Sequence, residues 1–561
     1  MSNTPFEMIY RKGLPPEERK YPGHGYRRSI EQGMIIERDV AVPMRDGVKV
    51  FVDILRPEGQ QRVPALISWS AYGKHVPAAY ERFYKNGGVR KEWFSKYADY
   101  EGPDPVYWVP HGYAIINVDP RGLWHSEGNA TYWGKDEGRD GHDLVEWAGV
   151  QEWCNGKIGM CGVSYLATVQ WQVAATQPPH LAAICPWEGF SDMYRELAFH
   201  GGIPETFFLP VWQTGVTYGL NRVEDVYEMT KRHPFFDDYW ATKVADFSKI
   251  NVPALVVASW GDQGLHTRGT IGAFNSIASE QKFLEVHGRK KWEYFYQPSS
   301  VERQRRFFDH FLKGIDNEVP RWSRVRLEAR ERYYVGKFRG ENEWPLARTQ
   351  YRKLFLDARS ASLKTVPVKT KSQVRYDAPG DRARCPEAYR SERAQFDYVF
   401  AKPTELTGYM KLRLWVEAIG SDDMELFIAV QKFDRYGNYV PLAGFSALED
   451  GPVALGWLRV SHRELDKKRS TPYQPWLLHQ REIKLKRGVP VPVEIEIWPS
   501  GTRFAAGEKL RVVVQGSDIY KYAQWIRLAG HPETRNAGQH LIHTGGRYDS
   551  HLLVPIIPPK D

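Results

Sequence analysis

Cysteine is scarce in this chain. Four residues in 561, Cys154, Cys161, Cys185 and Cys385, are too few and too scattered for a disulfide framework or a cysteine-built zinc site. Long apolar runs are missing too. No stretch reaches about 18 apolar residues, so a spanning helix is excluded, and the polar, proline-rich first thirty-odd residues lack the apolar centre of a signal peptide. A cytoplasmic protein without a membrane partner is expected. The formal charge is +9, yet no long Lys/Arg block carries it. Short runs such as "GRKKWEY" from Gly288 and "DKKRS" from Asp466 read as solvated loops, so no nucleic-acid partner is expected. Internal repeats and low-complexity linkers are also absent. What the chain has in quantity is tryptophan, twenty residues within a 14% aromatic share. Such content suggests aromatic-lined cores or a pocket for a bulky apolar ligand.

A length of 561 residues calls for two or three domains. Residues 1–36 read as an extended arm, packed on the body or on a neighbouring subunit. From Glu37 to Leu55 the residues alternate apolar and polar around Arg45-Asp46-Gly47, a β-hairpin pattern. Short β-branched runs follow at Val63–Ser70, Gly112–Asp119, "KIGMCG", "HLAAICPW" and Val252–Trp260, separated by helical periodicity at Asp140–Val150 and Tyr165–Ala175. Strands alternating with helices indicate a mostly parallel sheet covered on both faces, over 37–190 and 250–319. Between them, 191–249 is helical and aromatic, as an inserted cap would be. From 320 to 561 the chain reads as short strands broken by Gly, Pro and Asp, the pattern of an all-β sandwich or jelly roll.

Gly162-Val163-Ser164-Tyr165-Leu166-Ala167 places a serine between a strand and a helix, as in the nucleophile elbow of α/β-hydrolases. The second glycine of G-x-S-x-G is replaced by Leu166, with small Ala167 one place later. A nucleophilic serine needs an acid and then a histidine, each at the C-terminal end of a later strand. Asp262 follows the strand ending at Trp260, and His287 follows the next strand, "KFLEV". His266 stands too near Asp262 to sit on a separate strand, and His310 falls inside the amphipathic helix Arg303–Gly314. His287 is therefore the expected base. Glu137, Asp140 and Asp143 recur every three residues and read as a solvated helix start rather than a metal site.

Taken together, "PMRDGVKVFVDILRP", "GYAIINVDPRGLWHSEG", "EWAGVQEWCNGKIGMCGVSY", "VPALVVASWGD", "FFDHFLKG", "GWLRVSHRELD" and "FAAGEKLRVVVQGSD" resemble the cocaine esterase and α-amino-acid ester hydrolase family, with the X-prolyl dipeptidyl peptidases as peptidase relatives. The resemblance runs from about Glu37 to the end. It implies an α/β-hydrolase with a helical cap and a C-terminal β-jelly-roll, with Ser164 as nucleophile, Asp262 as orienting acid and His287 as base. It also implies an oxyanion hole built from the Tyr72 hydroxyl and the backbone N–H of Tyr165. Two features depart from the family. A Gly-Pro-Trp-x-His approach to the histidine is replaced by Leu284-Glu285-Val286-His287. Gln263, Gly264 and Leu265 stand where the α-amino-acid ester hydrolases carry acids that bind a substrate ammonium, which disfavours α-amino acyl and X-prolyl substrates.

The expectation is thus a serine carboxylesterase acting through an acyl-enzyme on a small-molecule ester or amide, with no cofactor and no metal. Trp69, Trp133, Trp187, Phe190, Trp260 and Trp292 are candidates to line a bulky apolar or aromatic acyl pocket. Arg121 belongs to a structural loop and is assigned no chemistry. An acyltransferase, an amidase or peptidase, and a non-catalytic ligand-binding protein are the competing readings. Self-assembly is compatible with the arm.

Overall fold

A parallel sheet whose inner strands are rich in Val, Ile, Leu and Ala forms the spine of the first half. The structure is a computed structural model and describes residues 6–59, 61–75, 83–378, 392–444, 448–520 and 530–559. Its first sheet uses β1 (Arg27–Glu31), β2 (Met34–Pro43), β3 (Lys49–Pro57), β4 (Val63–Trp69), β5 (Ala114–Asp119), β6 (Cys154–Val163), β7 (Leu181–Trp187), β8 (Ala254–Ser259), β9 (Lys282–His287), β10 (Val325–Arg332) and β11 (Val335–Glu341). The spatial order is β1-β2-β3-β5-β4-β6-β7-β8-β9-β10-β11. Neighbours from β5 to β10 run parallel, and the two ends are antiparallel. Every residue of β4, β5 and β8 is buried, which explains their mostly apolar sequence: a parallel sheet is covered on both faces. The sheet continues through β10 and β11, past residue 320.

The connecting helices are α1 (Lys135–Gly149), α2 (Tyr165–Ala174), α3 (Phe208–Gly215), α4 (Val226–Arg232), α5 (Thr267–Ser276), α6 (Lys291–Tyr296) and α7 (Pro298–Lys313). All ten residues of α2 are buried. It packs tightly on α1, where a Cβ on Gly141 would stand 2.3 Å from Val173 Cγ2. Between β7 and β8, residues 191–249 hold α3, α4, the short helix Asp238–Ala241 and two two-residue strands. No helix among the described residues is long and apolar enough to cross a membrane.

Beyond Gln350 the described regular structure is almost entirely β. The long strand Thr404–Ile419 pairs with Val491–Phe504 on one side and with Gln539–Thr544 and His551–Ile557 on the other. A second group joins Arg393–Val399, Lys509–Gln515, Glu425–Phe433 and Ala454–Arg459. Leu412, Leu414 and Val416 alternate with less buried Arg413, Trp415 and Glu417. Their apolar side chains share one core with Ile428, Val430, Val512 and Val514 of the second group, as one-sided burial of facing sheets requires.

Candidate active site

Ser164 occupies the turn between β6 and α2 with φ +60° and ψ −112°. Those angles are costly for a residue with a Cβ and persist only where the surroundings enforce them. Here the turn is held from both sides. Val163 N donates to Glu101 O at 3.0 Å, and Ser164 N donates to Trp187 O at 2.9 Å. The need for small residues is spread over two contacts. A Cβ on Gly162 would lie 2.5 Å from Leu166 Cβ, and one on Gly189 would lie 2.9 Å from Ala167 Cβ. This is how Leu166 is tolerated where a second glycine is usual: the room is supplied by Gly162, and the close helix approach is made at Ala167.

The histidine facing the serine is His266. Its Nε2 is 3.3 Å from Ser164 Oγ, and its Nδ1 makes a short hydrogen bond to Asp262 Oδ2. Both come from one tight turn after β8, in which the N–H groups of His266 and Thr267 donate to Asp262 O at 3.1 and 3.2 Å. Acid and base therefore need not ride on separate strands, because an i,i+4 spacing brings the two side chains to one side of a single turn.

His287, the expected base, is placed differently. It is fully buried at the end of β9, and neither ring nitrogen is turned to the serine. Nδ1 accepts from Arg289 N at 3.1 Å, and Nε2 faces Glu188 Oε1 at 3.2 Å. Tyr294 stacks on the ring with centroids 3.9 Å apart. The strand delivers its last side chain into the core instead of onto a loop above the serine.

Between the two histidines lies a buried charged group. Glu188 stands against Asp262 and is pushed well above the usual carboxylate range by burial and then by the Asp262 charge. Lys291 Nζ is 3.9 Å from Asp262 Oδ2. Glu101, which accepts Trp292 Nε1 at 2.7 Å, is raised to about 7 by burial, with Lys291 pulling the other way. His266 is lowered to about 4, first by burial and then against the pull of Asp262. A neutral imidazole bonded at Nδ1 to a carboxylate presents its Nε2 lone pair to the serine proton, which is the state a general base requires.

Tyr72 reaches the same place from the loop after β4. Its hydroxyl lies beside Ser164 and is held well above the ordinary tyrosine range by burial and by Glu101. Trp212 Nε1 donates to it at 3.3 Å. Tyr165 opens α2, so its N–H is one of the first-turn donors that the helix itself does not satisfy. Trp212 was not singled out in the sequence; the only signal was its place in the aromatic stretch "FFLPVWQTG".

The aromatic candidates divide. Trp133 stacks on Trp212 at 4.2 Å and meets Phe190 edge-on at 5.2 Å. Phe190 lies parallel to His266, with centroids 6.5 Å apart. Trp292 borders Phe83 and Tyr100, and Tyr100 packs on Tyr72. All six candidates lie in one buried cluster with Trp212, and Trp69, Trp187 and Trp260 are the deepest of them. Each is almost wholly buried, and each spends its indole N–H internally, on Glu137 Oε1, Cys185 Sγ and Glu328 O respectively.

Glu137 and Asp140 of α1 are not solvated, while Asp143 is half-buried. Glu137 is buried, accepts from the Tyr165 hydroxyl at 2.6 Å and Trp69 Nε1 at 2.9 Å, and is raised by burial to about 7. Asp140 takes a two-pronged bond from Arg121 at 2.6 and 2.7 Å, and Asp143 pairs with Arg45. The close packing of α1 on α2 turns this face inward. Cys154, Cys161 and Cys185 are free and buried; Cys385 lies outside the described residues. Asp39, Asp53 and His75 converge as metal ligands could, but the Lys74 ammonium stands between the two aspartates at 2.5 and 3.1 Å and already supplies the cation.

Known proteins resemble this one along nearly the whole chain. Residues 46–225 match the X-Pro dipeptidyl-peptidase (S15) family, and 317–553 match the X-Pro dipeptidyl-peptidase C-terminal non-catalytic domain. A crystal structure of a CocE/NonD family hydrolase from Staphylococcus aureus superposes with a TM-score of 0.90 at 41% identity, covering 96% of this chain and 98% of that one. The chain belongs to the CocE/NonD family of hydrolases. Cocaine esterase from Rhodococcus sp. is 25% identical over 625 residues, spanning 94% of this chain and 100% of that protein. An α-amino acid ester hydrolase shares the fold, with a TM-score of 0.70 at 16% identity over 96% of this chain and 98% of that one. As a CocE/NonD family member the protein is an enzyme, a hydrolase of the serine-esterase class.

Proposed function

We propose that this CocE/NonD family member hydrolyses carboxylic esters through an acyl-enzyme on Ser164, with His266 as the base and Asp262 as its orienting acid. The observation that carries the reading is the continuous contact Ser164 Oγ–His266 Nε2, His266 Nδ1–Asp262 Oδ2. In the first step Ser164 Oγ bonds to the acyl carbon while its proton passes to His266 Nε2. The tetrahedral oxyanion is met by the Tyr72 hydroxyl and the Tyr165 N–H. The C–O bond to the leaving group then breaks as His266 returns the proton to the departing oxygen. Water repeats the sequence on the acyl-enzyme, releasing the acid and restoring Ser164. Asp262 holds the tautomer throughout.

Trp133, Trp212 and Phe190 beside His266 favour a bulky apolar or aromatic acyl group. We read residues 191–249 as a cap bringing Trp212 over the serine, and the β-rich C-terminal half as a jelly roll. Hydrolysis of p-nitrophenyl acetate through octanoate and benzoate by the wild type and Ser164→Ala tests the proposal, together with fluorophosphonate labelling. The wild type should turn over and label, and Ser164→Ala should do neither. Activity surviving in Ser164→Ala would assign the nucleophile elsewhere.

A further inference from the structure

The loop that carries Tyr72 is fastened by a buried charge cluster with no contact to the triad. Lys74 has a completely buried side chain, and its Nζ lies 2.5 Å from Asp39 Oδ1, 3.1 Å from Asp53 Oδ1 and 3.5 Å from Asp119 Oδ2. Its backbone N–H also donates to Asp119 Oδ1 at 3.1 Å. The three aspartates come from β2, β3 and the end of β5, so one ammonium ties the loop to three strands of the sheet. Burial works against the charge, but Asp119, Asp53 and Asp39 outweigh it and keep the lysine protonated.

Two further contacts lock the same loop. Trp124 Nε1 donates to Ala71 O at 3.2 Å, and Gly73 lies flat on the Trp124 ring, where a Cβ would come within 2.6 Å. Tyr21 of the N-terminal arm stacks on Trp124 at 4.2 Å and donates its hydroxyl to Asp119 at 2.8 Å. Tyr72 is thus the tip of a segment held at Ala71, Gly73 and Lys74.

We infer that Lys74 is a positioning residue, which fixes the Tyr72 hydroxyl against the serine by anchoring its loop to Asp39, Asp53 and Asp119, with Tyr21 sealing the cluster. This rests on the reading of Tyr72 as an oxyanion donor. A donor contributes only if it is already aimed where charge develops, and a displacement of about 1 Å can cost on the order of 100-fold in rate.

The test is a double-mutant cycle on a p-nitrophenyl ester, with Tyr72→Phe, Lys74→Met and both together. Tyr72→Phe should lower kcat by about 100- to 1,000-fold. Lys74→Met should lower kcat by roughly 10- to 100-fold with KM within about threefold. The double variant should be no more than about threefold slower than Tyr72→Phe, because a misplaced loop has no hydroxyl left to misplace. A merely structural role for Lys74 would multiply the two losses, and that result overturns the inference, as does unchanged kcat in Lys74→Met. If Lys74→Met does not fold, Tyr21→Phe enters the same cycle. It should lower kcat several-fold, on the order of one lost hydrogen bond, again without effect in the Tyr72→Phe background; unchanged kcat overturns the inference. Full activity in Tyr72→Phe overturns the oxyanion reading itself, whereas a loss there with none in Lys74→Met overturns only the positioning role.

Discussion

Replacing His266 or His287 by glutamine should separate two histidines that share one buried acid network. His266→Gln removes the base 3.3 Å from Ser164 Oγ. Loss of a general base within a serine–histidine pair slows acyl transfer by about 10⁴-fold or more, equivalent to roughly 5 kcal/mol of transition-state stabilisation. His287→Gln reaches the serine only indirectly. His287 faces Glu188, Glu188 stands against Asp262, and Asp262 then holds His266. Its kcat should fall by less than about tenfold, while stability falls by about 1–3 kcal/mol because a buried ring stacked on Tyr294 and bonded to Arg289 N is replaced. The assay is steady-state hydrolysis of a p-nitrophenyl ester, with urea unfolding and circular dichroism to confirm a native fold. Folded His266→Gln with activity within tenfold of wild type would refute the reasoning, as would folded His287→Gln that is as inert as Ser164→Ala.

His266 must be neutral to accept the serine proton, and burial lowers it to about 4 from the ordinary 6.5; kcat/KM should therefore hold as pH falls from 7 toward 5 and decline with a midpoint near that lowered value. A midpoint at 6 to 7 in a pH-rate profile would show that the base is not this buried imidazole. Gly162→Ala should destabilise the protein by about 1–3 kcal/mol or more and suppress labelling of Ser164, since the new methyl would meet Leu166 Cβ at 2.5 Å. Gly23→Ala, with open space around it, should leave the unfolding midpoint unchanged.

The sheet was legible because its signal is local. Val63–Trp69, Ala114–Asp119 and Ala254–Ser259 are mostly apolar, and such runs must be buried wherever the chain runs. Ser164 was visible for a similar reason: a strand, a glycine, a serine and a helix in immediate succession leave few backbone solutions. The α1 acids misled because three-residue spacing fixes a face but not what covers it. Glu137 and Asp140 are enclosed by α2, Trp69 and Arg121, all distant in sequence.

The choice of histidine shows where sequence order stops being informative. Asp262 followed by His287 on the next strand satisfies the usual chain order, and Asp262 with His266 violates the expectation of separate strands. Chain order says which residues reach the same edge of a sheet; it does not say which way an imidazole points. That direction depends on a turn closed by Asp262 O and on Tyr294 and Glu188 occupying the space around His287. Local sequence was enough for the parallel sheet, the serine at the β6–α2 turn and the acid after β8, because burial patterns and turn strain are properties of short segments. Which histidine lies beside that serine and which side chains neighbour Tyr72 depend instead on remote segments meeting within 3 to 4 Å, a scale at which hydrogen bonds form or fail.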